Sequence, residues 1–323
     1  MNKNIVLLKK PKLRNPFFIA AWPGMGDVAL KAAAFLKDKL KAEEFAVFKP
    51  ENFFQPQGVD IHEQIIAATK LPEGKFYFLK NKLSKNDLII FISDSQPVLD
   101  KTYEYAKQIV SFAQEFKVST VFTFAALPSP IEHVKNPGVW AVATHKDLID
   151  RLKKLSVRIM PTGHISGMNG LLLGVAKEKD IPGICLLGEI PFYTIQIENP
   201  MSSLAVLDIL TKIINVKIDY KELEEHAGLI NEEIDKFINF LKDPESQERP
   251  IGIDEIENIK ETLSAYTKIP DSVKKNIEKL FEDASSDISQ ANELKKELDR
   301  WSIYREYEDR FLDLFRKPDK KNN

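Results

Sequence analysis

The chain has 323 residues, of which 43% are hydrophobic and 29% charged, and its formal net charge is −2. This length allows one large domain or two smaller ones, and the near-neutral charge gives no field that attracts nucleic acid or an anionic membrane. The single cysteine, Cys185, excludes an intrachain disulfide and a multi-cysteine zinc site. No apolar stretch approaches the roughly 20 residues that span a bilayer, so we expect a cytoplasmic protein without a membrane or nucleic-acid partner.

The first two thirds of the chain alternate between strand-like and helix-like segments. Apolar runs predict strands at 17–22, 45–48, 88–92, 121–125, 139–142 and 184–187. Apolar residues that recur every three or four positions predict helices at 27–40, 105–116, 163–178 and 199–214. Such alternation predicts an α/β fold, in which a mostly parallel sheet has helices on both faces.

The pattern changes after residue 219, where the strand signals stop. Residues 220–241 predict an acidic amphipathic helix, and a polar segment with two prolines follows it. We therefore predict an α/β domain at 1–243, a linker at 244–253 and a helical C-terminal extension at 254–323.

The C-terminal extension carries a regular apolar stripe. From residue 271 onward, apolar residues as far as Trp301 keep a near-heptad spacing, with a slip around Ile288, which predicts one long helix. An apolar stripe of this kind must be covered by another surface. Packing within the chain and self-association are equally open at this point.

The segment 24–29 reads Gly-Met-Gly-Asp-Val-Ala and matches the dinucleotide-binding pattern G-x-G-x-x-A. A nucleotide site of that type also needs an acidic residue at the end of the second strand, where this chain has Lys49 and Pro50. The Asp27 carboxylate is expected to cap the following helix and to repel a phosphate there. Pro23 removes one backbone donor. A tight, self-capped turn is the favoured interpretation, and a nucleotide site is the alternative.

A second glycine-rich segment spans 163–170. Exposed backbone N–H groups in such a turn can hold an anion. The glycines at 167, 170 and 174 also share one helix face, a spacing that allows another element to pack closely. Both interpretations remain open from the sequence.

Three acidic residues follow predicted strands directly: Asp27, Asp94 and Glu189. Ligands bind at the carboxyl edge of open parallel sheets, and three acids there can hold Mg²⁺ or share acid–base work. Each acid alone is also an ordinary turn or cap residue, and no metal-ligand spacing is present, so we expect no metal and no cofactor. The candidate ligand-binding residues are Gly24, Gly26, Asp27, Asp94, Gly163, His164, Ser166, Gly167, Asn169 and Glu189.

Several short motifs follow one another in a specific order. They are Trp22-Pro23-Gly24-Met25-Gly26-Asp27-Val28-Ala29, Lys49-Pro50-Glu51-Asn52-Phe53-Phe54, Asn86-Asp87-Leu88-Ile89-Ile90 with Gln96-Pro97 and Tyr103, Gly163-His164-Ile165-Ser166-Gly167-Met168-Asn169-Gly170-Leu171-Leu172, and the stretch from Ile190-Pro191-Phe192-Tyr193 to Asn199-Pro200. Their order resembles the PAC2 family, the proteasome assembly chaperone 2-like proteins, over roughly residues 15–240. The resemblance implies an α/β/α fold similar to that of purine nucleoside phosphorylases, and a role in binding proteasome α-subunits during ring assembly.

The resemblance also implies where a partner would bind. Some members of the family dock with a C-terminal hydrophobic-Tyr-x tail, which residues 318–323 do not match. Phe53, Phe54 and Trp301 are therefore the candidate partner-binding residues. We predict a non-enzymatic, oligomeric protein-binding or assembly protein whose partner is another protein or a second copy. The alternative is a nucleotide- or nucleoside-binding enzyme or sensor that uses the carboxyl edge of the sheet; the residues give no support to an ATP-grasp enzyme.

Overall fold

The computed structural model describes residues 4–55, 61–62, 65–66, 68–69, 71–242, 271–300 and 304–315. The chain divides into two compact units, the first ending at Ile234 and the second beginning at Asp235. The linker predicted at 244–253 lies outside the described residues.

Nine strands of the first unit form one mixed sheet. Its order from edge to edge is β1-β3-β6-β7-β2-β8-β11-β9-β10, and β4 pairs with β5 in a separate hairpin. The strands are β1 (Ile5–Leu7), β2 (Phe17–Ala21), β3 (Glu43–Phe48), β4 (Ile61–His62), β5 (Ile65–Ile66), β6 (Gly74–Leu79), β7 (Leu88–Ser93), β8 (Thr120–Ser129), β9 (Val139–Ala143), β10 (Arg158–Ile159) and β11 (Gly183–Pro191).

The centre of the sheet is parallel and its flanks are mixed. Strands β7, β2, β8 and β11 run parallel to one another. Strands β6 and β9 join this centre in the antiparallel direction, and β3 and β1 continue the antiparallel pairing on one side. The predicted α/β fold is confirmed, and the antiparallel strands at 5–7 and 74–79 are additions that the sequence analysis did not predict.

Helices cover both faces of the sheet. Helices α2 and α4 bury a core around Trp22, Phe91 and Tyr105, whereas α1 and α5 bury a second core around Leu36 and Leu207 on the opposite face. The resulting three layers match the predicted helix–sheet–helix arrangement. The helices of the first unit are α1 (Val28–Lys39), α2 (Thr102–Glu115), α3 (Lys146–Leu152), α4 (Met168–Glu178), α5 (Pro200–Ile214) and the start of α6 (Lys221–Lys242).

The described part of the second unit is helical, as predicted. After the end of α6 it contains α7 (Asp271–Ser286), α8 (Ala291–Arg300) and α9 (Tyr304–Asp313), which share a small apolar core. The prediction of one long helix from residue 271 is wrong, because the chain leaves the α-helix at the Ile288 slip, between Ser286 and Ala291. Trp301 and the residues at 254–267 lie outside the described residues. Among the described residues no helix has the length and apolar character needed to cross a membrane.

Candidate functional site

The carboxyl ends of β2 and β8 meet at the point where the sheet changes winding direction. The chain leaves β2 through α1 toward β3 on one side, and leaves β8 toward β9 on the other side. Neighbouring parallel strands whose connections diverge create a crevice, and this is where open α/β sheets bind ligands. Both glycine-rich segments of the sequence reach this edge.

The first glycine segment is fastened to the start of α4. The backbone N–H of Trp22 donates to Asn169 Oδ1 at 3.2 Å, and Asn169 Nδ2 donates to the Trp22 carbonyl at 3.3 Å. The indole of Trp22 is buried against Phe91 and Tyr105, with ring centroids 5.4 and 6.4 Å apart. Asn169, a predicted ligand-binding residue, therefore uses its amide to hold two segments of the fold together.

Gln96 adds a second link between the same two segments. Its Nε2 donates to the Pro23 carbonyl at 2.8 Å, and its Oε1 accepts from the Met168 N–H at 3.1 Å. Gly167 has φ +74°, and a Cβ there would lie 2.8 Å from Gln96 Oε1, so glycine is required for this close approach. Gln96 was part of a family motif and follows the β7 strand, but the sequence analysis did not include it among the candidate ligand-binding residues.

Gly26 is fixed from the opposite side. Its N–H donates to the Ile195 carbonyl at 2.9 Å, and its carbonyl accepts from the Asn199 N–H at 2.8 Å. Its φ is +60°, and a Cβ would meet Asn199 Cβ at 3.2 Å. A phosphate-binding loop needs free N–H groups, and that of Gly26 is already engaged within the fold.

Asp27 does not cap its helix, so that part of the prediction is wrong. Its φ is 45°, in the left-handed region, and its side chain makes no capping hydrogen bond to α1. Burial raises the pKa of Asp27, and the nearby Glu198 raises it further, whereas the Gly24 N–H and Lys31 act in the opposite direction.

Asp27 belongs instead to a charged cluster, which we call the Lys31 cluster: Asp27, Lys31, Glu198 and His226. Lys31 Nζ lies 2.8 Å from Glu198 Oε1, and His226 Nε2 lies 3.5 Å from Glu198 Oε2. His226 is buried, and its pKa is lowered first by that burial and then by Lys31, while Glu198 and Glu222 raise it. The cluster joins α1, the segment before α5 and the first-unit part of α6, and no sequence spacing predicted it.

Glu189 is fully engaged inside the fold. It is 8% exposed and accepts hydrogen bonds from the Gly138 N–H at 2.9 Å, Trp140 Nε1 at 2.9 Å and Arg158 Nη1 at 3.2 Å. These bonds hold β9 and β10 beside β11. Because its two oxygens already accept three hydrogen bonds within the fold, the Glu189 carboxylate has a structural role here.

Asp94 lies in a different setting, where its carboxylate accepts from the Glu73 N–H at 3.2 Å. Asp27, Asp94 and Glu189 thus have separate partners, in the Lys31 cluster, at the start of β6 and at β9–β10. Within the described ranges no three His, Cys, Asp or Glu side chains converge on a common metal position. The candidate ligand-binding residues that remain exposed are Gly24, Asp94, Gly163, His164, Ser166 and Gly167.

Phe53 and Phe54 lie in the core, with only 1% and 6% of their surface exposed. The ring of Phe53 packs against Phe48 and Tyr105, each with centroids 5.3 Å apart. Neither ring is exposed on the surface in this structure, so these two residues do not offer a partner the exposed side chains that the prediction requires.

Exposed apolar side chains occur instead at the carboxyl edge of the sheet. Met25, Phe192 and Tyr193 are 43%, 57% and 51% exposed. The Tyr193 hydroxyl accepts from the His133 N–H at 3.0 Å, which fixes the position of that ring. The sequence analysis quoted 190–193 as a family motif but did not identify Phe192 and Tyr193 as surface residues.

Comparison with known proteins finds relatives with solved structures. PbaB of Pyrococcus furiosus, an archaeal proteasome activator, is 32% identical, with a TM-score of 0.63 over 74% of this chain and 98% of that chain. PbaA of the same organism, an archaeal homologue of proteasome-assembly chaperone, is 26% identical, with a TM-score of 0.57 over 72% of this chain and 95% of that chain.

Two further matches extend the comparison. The protein MJ1210 of Methanocaldococcus jannaschii is 29% identical over 232 residues, which are 71% of this chain and 85% of that protein. The Mycobacterium tuberculosis proteasome-assembly chaperone homologue Rv2125, at 18% identity and a TM-score of 0.59 over 72% of this chain and 98% of that chain, shares the fold. The PAC2 family model matches residues 18–238, more than half of the chain, and confirms the resemblance read from the motifs. The chain belongs to the PAC2 family.

Proposed function

We propose that this chain is a non-enzymatic, cytoplasmic protein-binding factor that acts on proteasome α-subunits, either in ring assembly or on the assembled particle. The likeness to PbaB carries the proposal, because the matched region covers 98% of that proteasome activator at 32% identity. The likeness to PbaA, a homologue of proteasome-assembly chaperone, supports it from a second relative.

The geometry of the carboxyl edge agrees with a protein-binding role. The N–H groups of Gly26 and Met168 are both engaged by partners within the fold. The Asp27 carboxyl adds negative charge where a nucleotide phosphate would approach. These features weigh against the alternative of a nucleotide- or nucleoside-binding enzyme or sensor.

The test is direct binding to purified proteasome α-subunit rings of Pyrococcus furiosus, the species of PbaB and PbaA. We expect the full chain to co-sediment with the rings in analytical ultracentrifugation, with a Kd of about 1 μM. Absence of co-sedimentation at concentrations of about 100 μM would contradict the proposal.

The enzyme alternative has its own measurement. A panel of nucleotides and nucleosides is tested by thermal unfolding, because a ligand that binds only the folded state raises its apparent stability. A shift of several degrees that Asp27→Ala removes would favour the alternative, and no shift is expected under the proposal.

We also propose that the chain works as a homo-oligomer. The described part of the second unit leaves Ile288 and Phe315 49% and 55% exposed, beside a small helical core. Apolar side chains of this kind favour contact with another surface. Light scattering of the full chain measures the mass in solution, and a monomer at about 100 μM would contradict self-association.

A further inference from the structure

Strand β8 is paired along nearly its whole length on one side but only along its first residues on the other side. Strand β11 pairs with it without a register shift, from Gly183 opposite Val121 to Pro191 opposite Ser129. Strand β2 pairs with it only as far as Ala20 opposite Thr123. Beyond that point the Trp22 backbone bonds to Asn169, so among the described residues the end of β8 has no strand partner on the β2 side.

The hydrogen-bonding direction of each β8 residue follows from one bond. The Val121 N–H donates to the Pro182 carbonyl at 2.8 Å, which lies on the β11 side. Backbone groups alternate between the two sides of a strand, so Ala126 and Pro128 face the β2 side. The open edge therefore presents the Ala126 N–H and the carbonyls of Ala126 and Pro128.

Pro128 agrees with this assignment. Proline has no N–H, and within a sheet it occurs where that position needs no ladder partner. At residue 128 the missing donor would point to the open side, so the ten-residue strand continues through proline without losing a bond to β11. Residues 125–128 are also partly accessible to solvent.

Exposed apolar side chains lie near the carboxyl ends of β2 and β11, the two strands beside β8. The turn Met25–Asp27 contacts β8, and Met25 is 43% exposed. Phe192 directly follows the end of β11 and is 57% exposed, and the neighbouring Tyr193 is held by the His133 N–H. Exposed aromatic residues in fixed positions are typical of the side chains that dominate protein–protein binding energy.

We propose that the open edge of β8 at Ala126–Pro128 binds an extended peptide segment of a partner protein, which adds to the sheet as a strand. The edge offers backbone acceptors and a donor in the alternating pattern that another extended backbone matches. Met25 and Phe192 are uncharged, which favours an apolar peptide over an anionic ligand. The inference rests on the proposed protein-binding function and names the surface that would perform it.

Two variants and one control test the proposal. Ala126→Pro removes the one free N–H of the edge, and Phe192→Asp places a charge on the nearby apolar surface. Leu83→Asp is the control, because Leu83 is 65% exposed in the connection between β6 and β7, at the amino end of β7 and thus away from the carboxyl ends of the parallel strands. Far-UV circular dichroism and thermal unfolding establish that each variant is folded.

The first probe is a random decapeptide library selected on the full chain, followed by fluorescence anisotropy with the selected peptides. We expect Ala126→Pro and Phe192→Asp each to weaken binding about tenfold or more, and Leu83→Asp to leave it unchanged. Peptides N-methylated at alternate positions should also lose affinity, because strand addition uses their backbone N–H groups. If Ala126→Pro does not fold, the N-methylated peptides test strand addition in its place.

Failure to select any peptide, or equal affinity for wild type and both edge variants, would overturn the proposal. A wild-type oligomer that Phe192→Asp dissociates would overturn it as well, because a second copy would then occupy the edge. Binding of the same variants to α-subunit rings distinguishes a failure of this proposal from a failure of the proposed function. If all variants bind the rings as well as wild type, the edge is excluded and the function stands; if wild type does not bind them, the function fails and the peptide affinities alone decide the edge.

Discussion

Asn169 and the backbone of Trp22 exchange two hydrogen bonds across 147 residues of sequence. The pair is buried, and Trp22 directly follows Ala21, the last residue of β2. A side-chain amide here takes the place of a neighbouring strand, since it supplies one donor and one acceptor to a single residue's backbone. This replacement closes the first glycine segment and leaves the end of β8 open.

We predict that Asn169→Ala lowers the free energy of unfolding by about 2–4 kcal/mol, because two buried backbone groups of Trp22 lose their partners. Urea denaturation of the full chain, followed by circular dichroism, measures the change. Asn136→Ala is the control, since Asn136 is exposed on the loop after β8, and it should change stability by less than about 0.5 kcal/mol. Equal stability of the two variants would show that Asn169 does not hold the loop.

Two glycines give opposite predictions for the same substitution. Gly26→Ala should destabilise the protein by about 1–2 kcal/mol, because Gly26 has φ +60° and a Cβ there lies 3.2 Å from Asn199 Cβ. Gly174→Ala should stabilise it by about 0.5–1 kcal/mol, because Gly174 lies inside α4 with no atom within 4 Å of a new Cβ. Thermal unfolding of both variants checks the signs, and destabilisation at residue 174 would contradict the assignment.

The sequence predicted the features that depend on local patterns and missed those that depend on contacts between distant residues. Local periodicity identified α1 and the central strands, because each depends on neighbouring residues in the chain. The order of short motifs identified the family. The roles of Asp27 and Gln96 depended on contacts with Glu198 and Met168, distant residues that leave no local signal. In the second unit the spacing slip at Ile288 did mark the break that divides the predicted helix.

Substitutions of Glu189 distinguish a structural role of this residue from a ligand-binding role. Glu189→Ala should lower the free energy of unfolding by about 1–3 kcal/mol, because the partly buried N–H groups of Gly138 and Trp140 lose their acceptor. Glu189→Gln should cost less, because one side-chain oxygen remains as an acceptor. Folded Glu189→Gln protein should bind α-subunit rings as wild type does. Unchanged stability combined with lost binding would instead assign Glu189 to the binding surface.

The Lys31 cluster predicts a pH dependence of stability. Burial, and then Lys31, lower the pKa of His226 below its ordinary value of 6.5, so the unfolded chain takes up a proton more readily than the folded one. The contribution of His226 is therefore complete above about pH 7 and is lost as the pH falls below 6.5. Glu198 and Glu222 face the ring and partly offset this loss. The raised pKa of Asp27 has the opposite effect on stability, since the folded chain takes up that proton more readily, but this effect occurs only at the more acidic pH where a carboxyl group titrates.

We expect the free energy of unfolding to fall more steeply from pH 8 to pH 5.5 in wild type than in His226→Gln. Urea titrations at several pH values measure both slopes, and His164→Gln is the control because His164 is exposed. Lys31→Met should make the wild-type slope shallower, since removing that cation relieves one cause of the lowered pKa. If His226→Gln and wild type have the same slope, the buried imidazole is not the group that titrates in this range, and the decline in stability must come from groups outside the cluster.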